Sequence, residues 1–124
     1  MKTALEKQVD GSHYTDLKLQ PIELIVKANL SFIQGNIIKY ITRYERKNGL
    51  IDLKKCIHYA ELAIELDSTG PDVRMVGLGY SYCKANFLSK WQADVVICAI
   101  RDDYYNVIRH CKYIMKEQYN FKEF

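Results

Sequence analysis

The amino-acid sequence predicts an all-α fold, a bundle-like single domain over residues 1–124 with about five helices and an irregular N-terminal arm. Three observations support this prediction. Apolar residues recur every three or four positions along most of the chain, as in helices that bury one face. Clusters rich in glycine, proline, asparagine and aspartate separate these segments. The alternating segment Leu17–Gln20 is short and ends at Pro21, so it predicts only a weak strand.

The N-terminal half predicts an arm followed by three helices. The arm, residues 1–14, has no helical period, and proline suits the first position of the helix that follows. The expected helices run from Pro21 to about Asn29, from Ser31 or Gln34 to Lys47, and from near Asp52 to the break at Asp67–Pro71. Because the turn between the second and third helices is short, they should form an antiparallel hairpin.

The C-terminal half predicts two further helices, the first of which is weakened by Gly77 and Gly79. The last, from about Asp94 to Glu117, carries the most regular apolar stripe of the chain. On that helix the adjacent carboxylates of Asp102-Asp103 point about 100° apart and should be solvated. Tyrosine is common at interfaces, so the tyrosine-rich region 70–124 predicts a homo-oligomer. We find no internal repeat in the sequence.

Composition narrows the possible functions. Charged residues make up 27% of the chain and the net charge is +3, too small to attract nucleic acid over the whole surface. The four cysteines form no C-x-x-C pair and have no metal-ligand spacing with the histidines, so we expect reduced core thiols, no metal, no cofactor and a cytoplasmic protein. The sequence also predicts neither a signal peptide nor a membrane-spanning segment.

The second predicted helix carries the main functional signal. Its side opposite the apolar stripe collects an amide, a phenol and four cations: Asn36, Tyr40, Lys39, Arg43, Arg46 and Lys47. Like charges at this spacing repel by a few tenths of a kcal/mol, so packing alone does not require the arrangement. Arginine and lysine suit phosphate groups and tyrosine suits stacking on a base. A solvated face without function is the alternative interpretation.

Several motifs resemble a small phage and prophage family that is described as of unknown function or as a "nucleotide kinase". They are Ser12-His13-Tyr14, Gln20-Pro21-Ile22-Glu23, Phe32, the run G-N-x-x-K-Y-x-x-R from Gly35 to Arg43 followed by Tyr44, Lys47-Asn48-Gly49, Asp52-Leu53-Lys54-Lys55 and Tyr59. The resemblance covers about residues 11–66 and implies nucleotide handling in the cytoplasm of phage-infected bacteria. The positions it offers for binding phosphate or base are His13, Tyr14, Asn36, Lys39, Tyr40, Arg43, Lys47 and Lys55. The catalytic residues of the family are not transferred.

Three functions follow from these observations. The leading hypothesis is a phage-encoded nucleotide-binding protein, in one version a sponge that sequesters a nucleotide or cyclic nucleotide immune signal of the host. The second is a nucleoside monophosphate kinase with His13 as base and Arg43 as leaving-group stabiliser, although the chain lacks a Walker lysine motif. The third is a module that binds DNA or a host protein through the basic face.

Overall fold

The computed structural model describes residues 1–70 and 75–123, and it confirms the all-α class. The α-helices are α1 (Pro21–Lys27), α2 (Phe32–Arg43), α3 (Leu50–Glu65), α4 (Val76–Ala85), α5 (Lys90–Ile100) and α6 (Tyr104–Tyr119). A short 3-10 turn, Tyr44–Arg46, continues α2. These ranges contain no strand, so the weak strand prediction for Leu17–Gln20 is wrong, and these residues form bends before α1.

The first helical hairpin, α2–α3, matches the prediction in its direction and differs in its details. The α-helix stops at Arg43, and α3 begins at Leu50, so the turn is longer than expected. Gly49 precedes α3 with φ of 53°, a conformation that suits glycine. Asp52, predicted as a helix cap, is instead fully buried inside the first turn of α3. The expected break after α3 is confirmed for residues 67–70, and Pro71 lies outside the described residues.

The prediction of one long C-terminal helix is wrong, because α5 and α6 are separate helices. Asp102, between them, has φ of 59°, which lies outside the right-handed helical region. Asp103 caps α6, since its side chain accepts a hydrogen bond from the Asn106 N–H at 3.3 Å. Asp102 is not solvated as expected: its carboxylate accepts hydrogen bonds from the Tyr104 hydroxyl at 2.8 Å and the Gly70 N–H at 2.8 Å. Because both helices bury an apolar stripe, the hydrophobic period continues across residues 101–103, and it therefore predicts one helix in place of two.

The core draws residues from all six helices, and two buried glutamines join α2 and α5 reciprocally. Gln34, in the first turn of α2, donates from Nε2 to the Ala99 carbonyl of α5 at 3.0 Å. Gln92, in the first turn of α5, donates from Nε2 to the Ile41 carbonyl of α2 at 2.9 Å. Each glutamine also completes a capping box with the serine three positions before it, Ser31 or Ser89.

This reciprocity is what a twofold axis produces, because each partner makes the contact that it receives. The same relation holds for whole elements: α2 packs on α5, α3 packs on α6, and α1 touches α4. The described chain is therefore built as two halves, α1–α3 and α4–α6, related by a pseudo-twofold axis. This structural repeat corrects the absence of a repeat in the sequence analysis. In the sequence the serine–glutamine capping pair recurs, and Arg101 stands at the position of Arg43.

All four cysteines are free thiols, as expected. Cys56, Cys83 and Cys111 are buried, and Cys98 is half-buried. Burial raises the pKa of Cys83 and Cys98 to about 11, so both are uncharged thiols near neutral pH. None of the helices in the described ranges is both long and apolar enough to span a bilayer.

Candidate site for an anionic ring-containing ligand

In the structure the N-terminal arm extends over residues 1–20, up to the start of α1. It folds back over the end of α2, and the side chain of Gln8 holds it in this position. Its Oε1 accepts hydrogen bonds from the Tyr14 N–H at 2.8 Å and the Thr15 N–H at 3.2 Å. Its Nε2 lies 2.9 Å from Nδ1 of His13. Further along, the side chain of Asn86 bonds the backbone N–H and carbonyl of Leu19 at 2.9 and 2.7 Å. These contacts place His13 and Tyr14 beside the basic face of α2.

Two carboxylates of the arm neutralise two of the predicted cations. Asp16 accepts a hydrogen bond from Arg46 at 2.8 Å, and Asp10 lies 3.9 Å from Nζ of Lys47. Hydrogen bonds from Arg46 and Ser12 hold the pKa of Asp16 below its ordinary value. Both ion pairs are exposed to solvent, where such pairs contribute little to stability. The arm therefore covers this end of the basic face with contacts that a competing anion can displace.

Arg43 is bound into the fold by a buried ion pair with Asp52. Nε and Nη2 of the guanidinium each lie 3.1 Å from a different carboxylate oxygen, which is the bidentate geometry. Asp52 is fully buried and Arg43 is 9% exposed. The remaining Nη1 donates to the Tyr14 hydroxyl at 3.2 Å. Arg43 thus orients the arm, and its predicted contact with a ligand phosphate stays a prediction.

Tyr40 is the centre of the candidate site, because three cations surround its ring. Nζ of Lys39 lies 4.5 Å from the ring centroid, Cζ of Arg43 lies 4.7 Å away and Nζ of Lys55 lies 5.0 Å away. Within the described ranges neither lysine forms an ion pair with a carboxylate. The site therefore presents two ammonium groups whose contacts are with an aromatic ring, not with an acid.

An aromatic row extends from Tyr40 across the hairpin. Tyr59 of α3 lies nearly parallel to Tyr40, with ring centroids 6.1 Å apart and planes at 20°. Phe32, at the start of α2, meets Tyr59 edge-on at 6.0 Å and is 76% exposed. Sequence reasoning omitted Phe32 and Tyr59 from the site. The signal was available, since residues eight apart on α2 share a face and the predicted hairpin places α3 beside it.

A small apolar hollow of about 140 Å³ adjoins this row. Lys39 and Tyr14 form its polar edge, and its other walls are Gln20, Pro21, Ile22 and Ile25. Gly35 allows the close approach of α1, because a Cβ at this position would lie 3.0 Å from Cδ1 of Ile25. The lysine ammonium at the rim thus lies between the hollow and the ring of Tyr40.

His13 and Tyr14 stack at the arm side of the site, with ring centroids 4.3 Å apart. Burial, followed by the nearby charges of Lys47 and Arg43, lowers the pKa of His13. Burial raises the pKa of Tyr14, although Arg43 opposes that shift. Near neutral pH both side chains are therefore uncharged hydrogen-bonding groups.

Seven of the eight predicted residues therefore lie close together, either in contact with Tyr40 or the arm or with a charge near one of them. Asn36 is the exception, since its Nδ2 donates to the Phe32 carbonyl one turn back at 2.8 Å. Sequence reasoning missed Asp52 as the partner of Arg43, although the predicted hairpin places the start of the third helix beside the end of the second. Within the described residues there is no group of three or more His, Cys, Asp or Glu side chains that could hold a metal ion.

Comparison with known proteins finds a family model that matches part of the N-terminal half. Residues 9–61 match the model of a family described as a protein of unknown function, DUF3310. The matched segment contains the end of the arm, α1, α2 and most of α3, and it nearly coincides with the resemblance over residues 11–66. Its description names no activity. No curated protein and no solved structure matches the chain.

Proposed function

We propose that the chain is a nucleotide-binding protein that holds ligand phosphate with Lys39 and Lys55 and stacks the base on the aromatic row of Tyr40, Tyr59 and Phe32. The observation that carries this proposal is the pair of ammonium groups within 5.0 Å of the Tyr40 ring centre, neither of which is paired with a carboxylate in the described ranges. Base–aromatic stacking contributes about 1–3 kcal/mol per base, and a nearby cation supplies the charge that a phosphate needs.

The contacts of Arg43 and His13 favour binding over phosphoryl transfer. The kinase hypothesis uses Arg43 to stabilise the leaving group, yet this guanidinium is held by Asp52 and Tyr14. It uses His13 as the base, yet Nδ1 of this ring lies 2.9 Å from Nε2 of Gln8. Phosphoryl transfer depends on cations and bases aimed at the transferred group, whereas these two side chains are directed at other groups of the protein. A binding role makes no such demand on either side chain.

The biological version of the proposal is a phage-encoded sponge that sequesters a nucleotide or cyclic nucleotide immune signal of the host. It rests on the resemblance to the phage and prophage family together with a binding face on which Arg43 and His13, the two side chains that the kinase hypothesis needs, already have protein partners. A mass spectrum of small molecules released by heating the purified protein would identify a ligand that copurifies with it.

Calorimetric titration of the full chain with nucleoside 5′-monophosphates and cyclic nucleotides tests the proposal. We expect saturable heat for at least one of them. The double variant Lys39→Gln/Lys55→Gln should weaken that binding by at least about tenfold, since a hydrogen bond to a charged group contributes about 1.5–3 kcal/mol. Tyr40→Leu should weaken nucleotide binding while leaving the weaker binding of inorganic phosphate unchanged.

A charge-matched control separates this site from general attraction. Lys84→Gln/Lys116→Gln removes two exposed lysines on α4 and α6 and leaves the same net charge as the test variant. It should bind like the unmodified protein. Equal loss in both double variants, or no heat with any nucleotide, would contradict the proposal. Binding of single-stranded DNA with a steep salt dependence and little base preference would favour the nucleic-acid alternative.

A further inference from the structure

A cleft separate from the Tyr40 site lies on the C-terminal half, between α5 and α6. This cleft measures about 360 Å³ and is lined by Lys90, Trp91, Asp94, Arg109, His110 and Tyr113. It lies near the start of α5, the end that corresponds to Phe32 in α2, and Ile97 and Cys98 stand at the positions equivalent to Lys39 and Tyr40. When the two capping serines are aligned, Asp94 corresponds to Asn36, and Lys90 and Trp91 correspond to Phe32 and Ile33. The cleft lies outside the segment matched by the family model.

Two aromatic rings form the apolar wall of the cleft. Trp91 and Tyr113 meet edge-on, with ring centroids 5.7 Å apart and planes at 80°. The Tyr59–Phe32 pair of the first half has the same edge-on geometry. Trp91 is half-buried and packs on the core, which fixes its position, whereas Tyr113 is 51% exposed. A planar ring can therefore enter beside a rigid indole and contact a phenol that is free to adjust.

The charged groups of the cleft are of both signs and do not pair with each other. Lys90 and Arg109 supply two cations, and Asp94 supplies a carboxylate. The ion pairs of the described ranges all lie in the N-terminal half and involve none of these three. Charges held apart in one cleft leave room for a ligand that carries the complementary charges. Two cations and one carboxylate suit an anionic group together with a separate amine or ring N–H donor.

We infer that the α5–α6 cleft is a second binding site, which takes a small planar aromatic ligand bearing an anionic group and an amine or N–H donor. Lys90 and Arg109 hold the anionic group, Asp94 accepts from the donor, and the ring lies against Trp91 and Tyr113. The volume is at the lower end of the range for small-molecule sites and fits one ring system with short substituents. Aromatic amino acids and aminopurine nucleotides both have this chemistry. The inference concerns a different cleft from the proposed function and does not depend on it.

The chain contains a single tryptophan, Trp91, so its fluorescence reports this cleft and not the Tyr40 site. Titration of the full chain with L-phenylalanine and, separately, with adenosine 5′-monophosphate should give a saturable change in that fluorescence for at least one of them. For L-phenylalanine, 3-phenylpropionate lacks the ammonium group and phenethylamine lacks the carboxylate. Each should bind at least about tenfold more weakly than the complete ligand, because one charged hydrogen bond is lost.

Variants of exposed or half-exposed residues separate binding from folding. Arg109→Gln should weaken the binding of the complete ligand by about tenfold. Asp94→Asn should also weaken that binding but leave the affinity for 3-phenylpropionate unchanged. Lys116→Gln, on the same helix and outside the cleft, should change nothing, and Lys39→Gln/Lys55→Gln should leave the Trp91 signal intact. The inference is overturned if neither ligand gives a saturable change. It is also overturned if Arg109→Gln has no effect, or if the Tyr40-site double variant abolishes the signal.

Discussion

Each half of the molecule consists of three helices, and each has an arginine at the end of its central helix. The two arginines differ in burial and in ion pairing. Arg43 ends α2 and is held in a buried bidentate pair with Asp52. Arg101 follows α5 at the corresponding position, is exposed, and forms no ion pair in the described ranges. The first half also has an arm that pairs with its charges, whereas Lys90 and Arg109 of the α5–α6 cleft form no ion pair among residues 1–70 and 75–123.

This difference shows that the position of a cation on a helix does not determine whether it is available to a ligand. One face of the predicted helix carries Lys39, Arg43, Arg46 and Lys47. The acidic partners of the last three come from other parts of the chain. Asp52 lies on α3, and Asp10 and Asp16 lie on the arm. Lys39 and Lys55, which the resemblance ranks no higher than Arg43, are the two near Tyr40 without an acidic partner in the described ranges.

The largest expected effect comes from breaking the buried pair of the first half. Asp52→Ala leaves the Arg43 guanidinium buried without its counter-charge, and should lower the free energy of unfolding by about 3–5 kcal/mol. Denaturation with urea, followed by circular dichroism, measures this loss. Arg101→Ala, the corresponding cation of the second half, should change the free energy by less than about 0.5 kcal/mol.

Glu61→Ala provides a control on the same helix as Asp52, since Glu61 is an exposed acid on α3. The free energy of unfolding of this variant should also lie within about 0.5 kcal/mol of that of the unmodified protein. A loss below about 1 kcal/mol for Asp52→Ala would mean that Arg43 can leave the interior and reach solvent. Arg43 would then be a candidate phosphate ligand again, and the contrast between the halves would disappear.

The sequence predicted the first half better than the second for a physical reason. Asn48-Gly49 marks the end of the first hairpin's turn, because glycine alone readily adopts the positive φ found there. The α5–α6 turn has no glycine or proline, and depends on Asp102 in the left-handed region held by the Tyr104 hydroxyl and the Gly70 N–H. The hydrophobic period carries no information on these hydrogen bonds, so it predicts a helix that continues through Asp102.

The candidate site was predictable to the extent that one helix face defines it. The face of α2 placed Lys39, Tyr40 and Arg43 together, and the hairpin added Lys55. What the sequence did not reveal is which of these side chains are already bound within the protein. Pairing of Asp52 with Arg43 depends on the depth of burial at the start of α3, which composition does not specify.

A smaller effect tests the break between α5 and α6. Asp103→Ala removes the cap that accepts the Asn106 N–H, and should lower the free energy of unfolding by about 1 kcal/mol. Ser31→Ala removes the corresponding cap of α2, whose Oγ accepts the Gln34 N–H at 3.1 Å, and should cost a similar amount. If α5 and α6 formed one continuous helix, alanine at position 103 would stabilise it. A gain in stability for Asp103→Ala is therefore the contrary result.

The smallest expected effect is the pH dependence of the arm, which involves His13. Burial and the charges of Lys47 and Arg43 lower the pKa of His13 from its ordinary value of 6.5. The unfolded chain therefore binds a proton more readily than the folded chain, so this contribution to stability is present above pH 6.5 and is lost as the pH falls below that value. His13→Gln should remove this contribution to the pH dependence, and Lys47→Gln should reduce it, because one of the cations that oppose protonation is gone. NMR titration of the imidazole, together with urea unfolding at each pH, measures both quantities. A His13 pKa at or above 6.5 would mean that the arm does not lie against the basic end of α2 in solution, since a solvated imidazole away from those cations has no reason to resist protonation.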